Sequence, residues 1–162
     1  MSKTTNVVFA GLGGQGVIKA SDILADVAFR AGLDVKKAEI HGMSQRGGSV
    51  TSDVRFGTEV LSPMVPAGEA DFLVVLAPDQ VENNLAALRR GGVLIRPDFV
   101  DEAKLPNRKS LNVALLGALA HHLRLPEEAW LAAVKAALPE RLHDVNVTAF
   151  RLGKAAAAAA AA

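Results

Sequence analysis

Six residues, Gly11-Leu12-Gly13-Gly14-Gln15-Gly16, stand between a short apolar run, Asn6 to Ala10, and apolar residues at helical spacing: Val17-Ile18, Ile23-Leu24, Val27-Ala28 and Ala31. A strand, a tight turn and a helix are predicted. The segment satisfies Gly-x-Gly-x-x-Gly in the strand-to-helix context that a dinucleotide fingerprint requires. Glycines there allow close backbone approach, and the free N–H groups and dipole of a helix N-terminus favour an anion such as a phosphate or a carboxylate. The plainer alternative is that they only bring the helix close to the sheet. A P-loop is excluded, because Val17 and Ile18 follow Gly16 in place of Lys and Ser or Thr.

The rest of the chain repeats the alternation. Gly32 closes the first helix, and Asp34 to Ile40 reads as a second strand, completing a βαβ unit. Ser49 to Phe56 alternates Val50, Val54 and Phe56 with Thr51, Asp53 and Arg55, as a strand covered on one face does. Asp71 to Leu76 is continuously apolar after its first residue, which predicts a strand buried on both faces at the sheet centre. Pro78 to Arg90, with Val81, Leu85 and Leu88, is predicted helical; Gly91-Gly92 would end it before a strand from Val93 to Arg96. Leu111 to Leu123 and Glu127 to Leu138 are two further predicted helices, separated at Pro126. The expected fold is α/β: a Rossmann-like three-layer arrangement with a mostly parallel sheet flanked by helices. Residues 1–154 form the expected single domain, and eight alanines at 155–162 carry no functional weight.

Composition narrows the function. Eighteen Lys and Arg against seventeen Asp and Glu leave a charge of +1, too little to hold a nucleic acid backbone. There is no cysteine, which removes disulfides, thiolate-held iron–sulfur clusters, Cys-type zinc sites and a thiol nucleophile from this chain. Met1 to Asn6 lacks the apolar core of a signal peptide, and no apolar run approaches the ~20 residues of a membrane helix. A cytoplasmic protein is expected, with neither nucleic acid nor membrane as partner.

A second loop is the least ordinary part of the sequence. His41-Gly42-Met43-Ser44-Gln45-Arg46-Gly47-Gly48-Ser49 is dense in donors where a Rossmann domain would start its next helix. Arg46 offers a planar fork for a carboxylate or phosphate, Gln45 an amide, and Gly47-Gly48 close approach to a ligand or another subunit. The alternative is a solvated turn. Glu39 is the one candidate for the acid that holds ribose hydroxyls in a nicotinamide enzyme. His41 has no carboxylate spaced to make it a general base, adjacent His121 and His122 cannot share a metal in the i, i+4 manner, and His143 is isolated. Gly-x-Ser-x-Gly is missing. No self-sufficient catalyst is legible.

With Gly11 to Gly16 and Glu-Ile-His-Gly-Met-Ser-Gln-Arg-Gly-Gly-Ser-Val at 39–50, the sequence resembles the gamma-type subunit or domain of 2-oxoacid:acceptor (ferredoxin) oxidoreductases. Within them it is most similar to the indolepyruvate ferredoxin oxidoreductase beta subunit and related aryl 2-oxoacid enzymes such as phenylglyoxylate dehydrogenase. Leu61-Ser62-Pro63, Gly68-Glu69-Ala70-Asp71 and Asn146 to Phe150 extend the resemblance over about Asn6 to Gly153. It implies a non-catalytic subunit of a complex that decarboxylates a 2-oxoacid oxidatively and transfers the acyl group to coenzyme A. Thiamine diphosphate, Mg2+ and [4Fe-4S] clusters are then expected in partner subunits, with ferredoxin, or NAD through a partner, as acceptor. Gly11, Gly13, Gly14, Gln15 and Gly16 would meet a phosphate of coenzyme A or a partner carboxylate. His41, Met43, Ser44, Gln45, Arg46, Gly47, Gly48 and Ser49 would form a loop at the core interface. An independent NAD(P)- or FAD-binding Rossmann domain and a purely structural scaffold are the competing readings.

Overall fold

The computed structural model describes residues 3–41 and 48–161. Five strands, β1 (Thr5–Leu12), β2 (Asp34–His41), β3 (Ser49–Gly57), β4 (Ala70–Val75) and β5 (Leu88–Ile95), form one sheet in the order β2-β3-β1-β4-β5. β4 and β5 follow β1 in parallel, whereas β3 runs antiparallel to both its neighbours. Four of the five strands therefore point the same way, as a mostly parallel sheet requires. The sheet centre is β1; β4, expected there, is one strand further out. Helix α1 (Val17–Arg30) crosses over from β1 to β2, but β3 is inserted between those two strands, so the βαβ unit is split.

The two faces of the sheet are covered unequally. Val7, Phe9, Val54, Phe56, Val74 and Ile95 meet α1 and the C-terminal helices α3 (Leu111–His122), α4 (Glu127–Ala137) and α5 (His143–Ala161) in the main core. On the other face Val8, Ala10, Leu73 and Val75 pack under Val81 and Val65, a thinner layer made by the 78–87 segment and the loop after β3. Helix, sheet and thin cover give the three layers.

Helix formation between Pro78 and Arg90 stops early. Short helical turns run only to Ala87, with α2 at Val81–Asn84, and Leu88 to Arg90 belong to β5. Leu88 pairs with Ala70 but Val93 pairs with Phe72, so residues 89–92 bulge from the sheet, with Gly91 at φ 78° taking the bend. Helices α3 and α4 match the two expected at Leu111 to Leu123 and Glu127 to Leu138 to within a residue, and α1 closes at Arg30, just before Gly32. Asn146 to Phe150, not assigned to an element from sequence, lie in α5, whose end is built from the alanine run. Among the described residues no helix is long and apolar enough to cross a membrane.

The loop after β3 is held by side chains rather than by secondary structure. Asp34 Oδ2 accepts the Val60 N–H at 2.8 Å, Asp53 Oδ2 accepts the Val65 N–H at 2.9 Å, and Arg55 Nη1 donates to the Ser62 carbonyl at 2.9 Å. Asp53 is buried, and burial pushes its carboxyl above the ordinary value of 3.8, with the Val65 N–H and Arg55 acting in the opposite direction. Helices α3 and α5 touch backbone to backbone. A Cβ at Gly117 would fall inside the Phe150 carbonyl, and one at Gly153 inside the Ala114 carbonyl.

Two expectations follow. Gly153→Ala gains up to ~1 kcal/mol of helix propensity but forces α3 and α5 apart, an overpacking cost of about 3 kcal/mol or more, so thermal unfolding should show a net loss near 2 kcal/mol; an unchanged melting temperature would refute the contact. Because folded Asp53 holds its proton more tightly than an unfolded carboxyl does, its ionisation weakens the fold. Stability therefore falls as pH rises from about 3.8 through the raised folded value, then levels. Asp53→Asn keeps an acceptor for Val65 and should lose that slope, matching or exceeding the wild type near pH 7 in urea melts.

Candidate functional site

The carboxyl end of β1 is where the chain passes closest to itself. A Cβ on Gly11 would lie 2.8 Å from Val17 Cγ2 and 3.2 Å from Leu76 Cβ, so no side chain fits between β1, the start of α1 and the end of β4. Gly16 is the N-cap of α1 in the left-handed conformation, φ 83°, with Asn112 of α3 pressed against its Cα. The Asn112 amide donates to the Gly16 carbonyl at 3.3 Å. Gly13 N–H donates to the Gly48 carbonyl at 2.8 Å, which ties the turn to the start of β3.

The Gln15 side chain folds back on the turn. Its Oε1 accepts the Leu12 N–H at 2.7 Å and its Nε2 reaches the Leu76 carbonyl at 3.5 Å, so the carboxamide fills the inside of the turn. The Gln15 carboxamide thus holds the turn from within, and the backbone of the turn is the part left to meet a ligand or partner.

Cavities open on both sides of this thin glycine wall. One, of about 290 Å³, is lined by Leu12, Gly13, Val17, Ile18 and Val50 and is largely apolar. The other, of about 430 Å³, lies between Gly14 to Gly16, Leu76 and Asn112, with Arg108 and Lys109 at its rim. Both cations are exposed in the 3-10 turn Arg108–Ser110 that leads into α3. A backbone turn at a helix N-terminus with two cations opposite it is suited chemically to a phosphorylated ligand. Sequence reasoning missed Arg108, Lys109 and Asn112. The available signal was Asn112 itself, a polar residue in the first turn of a helix that is otherwise apolar as far as Ala120; in the structure it is buried.

The second predicted loop begins and ends at this same edge. Gly48 supplies the carbonyl to Gly13, and Ser49 Oγ donates to Gln80 Oε1 at 3.0 Å, a contact within the protein. His41 is the last residue of β2; Met43, Ser44, Gln45, Arg46 and Gly47 lie outside the described residues. Glu39 does not stand where a ribose-binding acid must. With β3 between β2 and β1, it is two strand spacings, about 10 Å, from the glycine strand, and its carboxylate pairs with Lys37 at 2.8 Å. Lys37 also pairs with Asp22, and although burial opposes it, these hydrogen bonds raise its pKa above the ordinary lysine value. Among the described residues no three His, Cys, Asp or Glu side chains gather to hold a metal ion.

A Gly-x-Gly-x-x-Gly turn flanked by cavities, on a mostly parallel five-stranded sheet covered by helices, places the chain in the class of Rossmann-like three-layer α/β proteins. Comparison with known proteins gives the particular lineage. The chain belongs to the pyruvate ferredoxin/flavodoxin oxidoreductase family, whose model matches residues 6–109. It is 33% identical to indolepyruvate oxidoreductase subunit IorB of Thermococcus kodakarensis, over 96% of both chains. The gamma subunit of a keto/oxoacid ferredoxin oxidoreductase from Geobacter sulfurreducens superposes with a TM-score of 0.81 at 27% identity, covering 96% of this chain and 99% of that one. A 2-oxoglutarate:ferredoxin oxidoreductase from Magnetococcus marinus carries the same fold, at TM-score 0.84 and 23% identity, as 31% of a longer chain.

The inward role of Gln15 is directly testable. Gln15→Ala strands the Leu12 N–H at the end of β1, a loss of about 1–2 kcal/mol, and should speed amide exchange at Leu12. Protection at Leu12 equal to the wild type would show that the carboxamide does not hold the turn.

Proposed function

We propose that this chain is the gamma-type, non-catalytic subunit of a thiamine diphosphate-dependent, coenzyme A-acylating oxidoreductase of aryl 2-oxoacids, with indolepyruvate as the leading substrate. The observation that carries the reading is the end-to-end similarity to an indolepyruvate oxidoreductase subunit, joined to a glycine turn faced by Arg108 and Lys109. The chain packs on the catalytic core through the loop of residues 41–49, with Arg46 contributing to that interface, and Gly13 to Gly16 with the two cations hold phosphates of coenzyme A.

Thiamine diphosphate with its Mg2+ supplies the decarboxylation chemistry, and iron–sulfur clusters carry the electrons, both in companion subunits. One fact supports that division: the sequence has no cysteine to hold an iron–sulfur cluster. An independent nicotinamide-binding domain is disfavoured by the position of Glu39.

The test is reconstitution with the companion subunits. Arg108→Ala combined with Lys109→Ala should raise the KM for coenzyme A about tenfold or more, as loss of charge-assisted phosphate contacts predicts, while 2-oxoacid-dependent reduction of the clusters before coenzyme A addition stays unchanged. An unaltered KM in a normally assembled complex would remove coenzyme A from this site. Arg46→Ala should lower acyl-CoA formation or assembly; wild-type values for both would remove Arg46 from the interface.

A further inference from the structure

The two outer edges of the sheet are built differently. At β5 the bulge of residues 89–92 breaks the ladder, and the Arg89 guanidinium bonds Asp71 at 2.7 Å beside it, so this edge is blunted against another strand. At β2 there is no such break. Its pairing with β3 runs without a slip from Asp34 opposite Gly57 to His41 opposite Val50, and β3 is its one neighbour in the sheet. An unbroken row of outward N–H and C=O groups is a template for an added strand.

Among the described residues, five large apolar side chains are exposed: Ile40 lies on β2 itself, Leu61 follows the Val60 that Asp34 of β2 holds, Phe29 lies on α1, and Met64 and Leu85 lie further from the edge. Ile40 shares a face with Ala38 and Lys36, which stand opposite Asp53 and Arg55 of β3. Over that same face the Asp34–Val60 and Arg55–Met64 bonds hold the segment bearing Leu61 and Met64. Phe29 lies two helical turns beyond Asp22, on the side of α1 that Asp22 turns to Lys37 of β2.

The charge order of the strand selects its partner. In an antiparallel pairing related by a two-fold axis perpendicular to the sheet, opposed residues keep their faces, so the axis passes through a residue. Centred on Ala38, the pairing sets Lys37 opposite Glu39 of a second copy, twice, and brings Ile40 beside the face that carries Leu61. Centred on Lys37, it would oppose two lysines at the axis, a repulsive arrangement. We propose that β2 is the seam of a symmetric dimer, an antiparallel β2–β2 pairing centred on Ala38 that joins two five-stranded sheets. This goes beyond the functional reading and does not depend on it.

Sedimentation velocity of the full chain over a range of concentrations tests the seam. The expected species has twice the 16.9 kDa chain mass, with β2 amides protected from exchange. Glu39→Lys and Ile40→Lys each place a cation against a cation of the second copy and should weaken dimerisation at least tenfold with unchanged circular dichroism. Leu85→Lys, an exposed apolar position away from the seam, should leave it intact. A chain that stays monomeric to ~100 µM would overturn the proposal, as would a dimer insensitive to both seam variants. Protection of β2 appearing only when a companion subunit is added would overturn it too, assigning the edge to that subunit.

Discussion

Want of space at the carboxyl end of β1 governs this molecule. Gly11 sits where β1, α1 and β4 come within van der Waals reach of one another, and the Gln15 carboxamide occupies what room is left inside the turn. Because the turn is sealed from within, its outer surface is bare backbone with a cavity on either side. The structural demand for glycine and the chemical opportunity for an anion are two results of one crowding. Asn112 adds the third element, since its amide links the turn to α3 and thereby sets the approach of Arg108 and Lys109.

Much of this was readable from the chain because it is local. The strand–turn–helix at 6–31, the alternation at 49–56 and the buried run beginning at Asp71 depend on neighbours in sequence, and each became the element expected. What failed depended on distant partners. Val81, Leu85 and Leu88 keep helical spacing, yet pairing with Ala70 draws Leu88 into a strand, and nothing between 78 and 90 announces that pairing. Insertion of β3 between β1 and β2 is equally invisible, and it alone removes Glu39 from the place a dinucleotide fold would give it. The site was half legible: glycines declare themselves through spacing, whereas the two cations arrive from about ninety residues further along the chain.

The two faces of the sheet divide the work. Helices α3 and α5, in contact through Gly117 and Gly153, make the thick layer that stabilises the sheet and fixes Asn112. The opposite cover is a loop pinned by Asp34, Asp53 and Arg55, and its polar anchoring leaves Leu61 and Met64 turned to solvent. Rigid packing thus serves the turn, and tethered irregular chain serves the outer surface.

Placing β1 at the middle of the sheet also has a kinetic side. Of the five strands it is the first synthesised, yet its two neighbours are β3 and β4, and the Asn6–Asp71 bond spans 65 residues. Until both are synthesised, an apolar strand with two open sides must wait. The growing sheet is therefore most open to aggregation at β1, and chaperone capture at Val7 to Ala10 would protect it there.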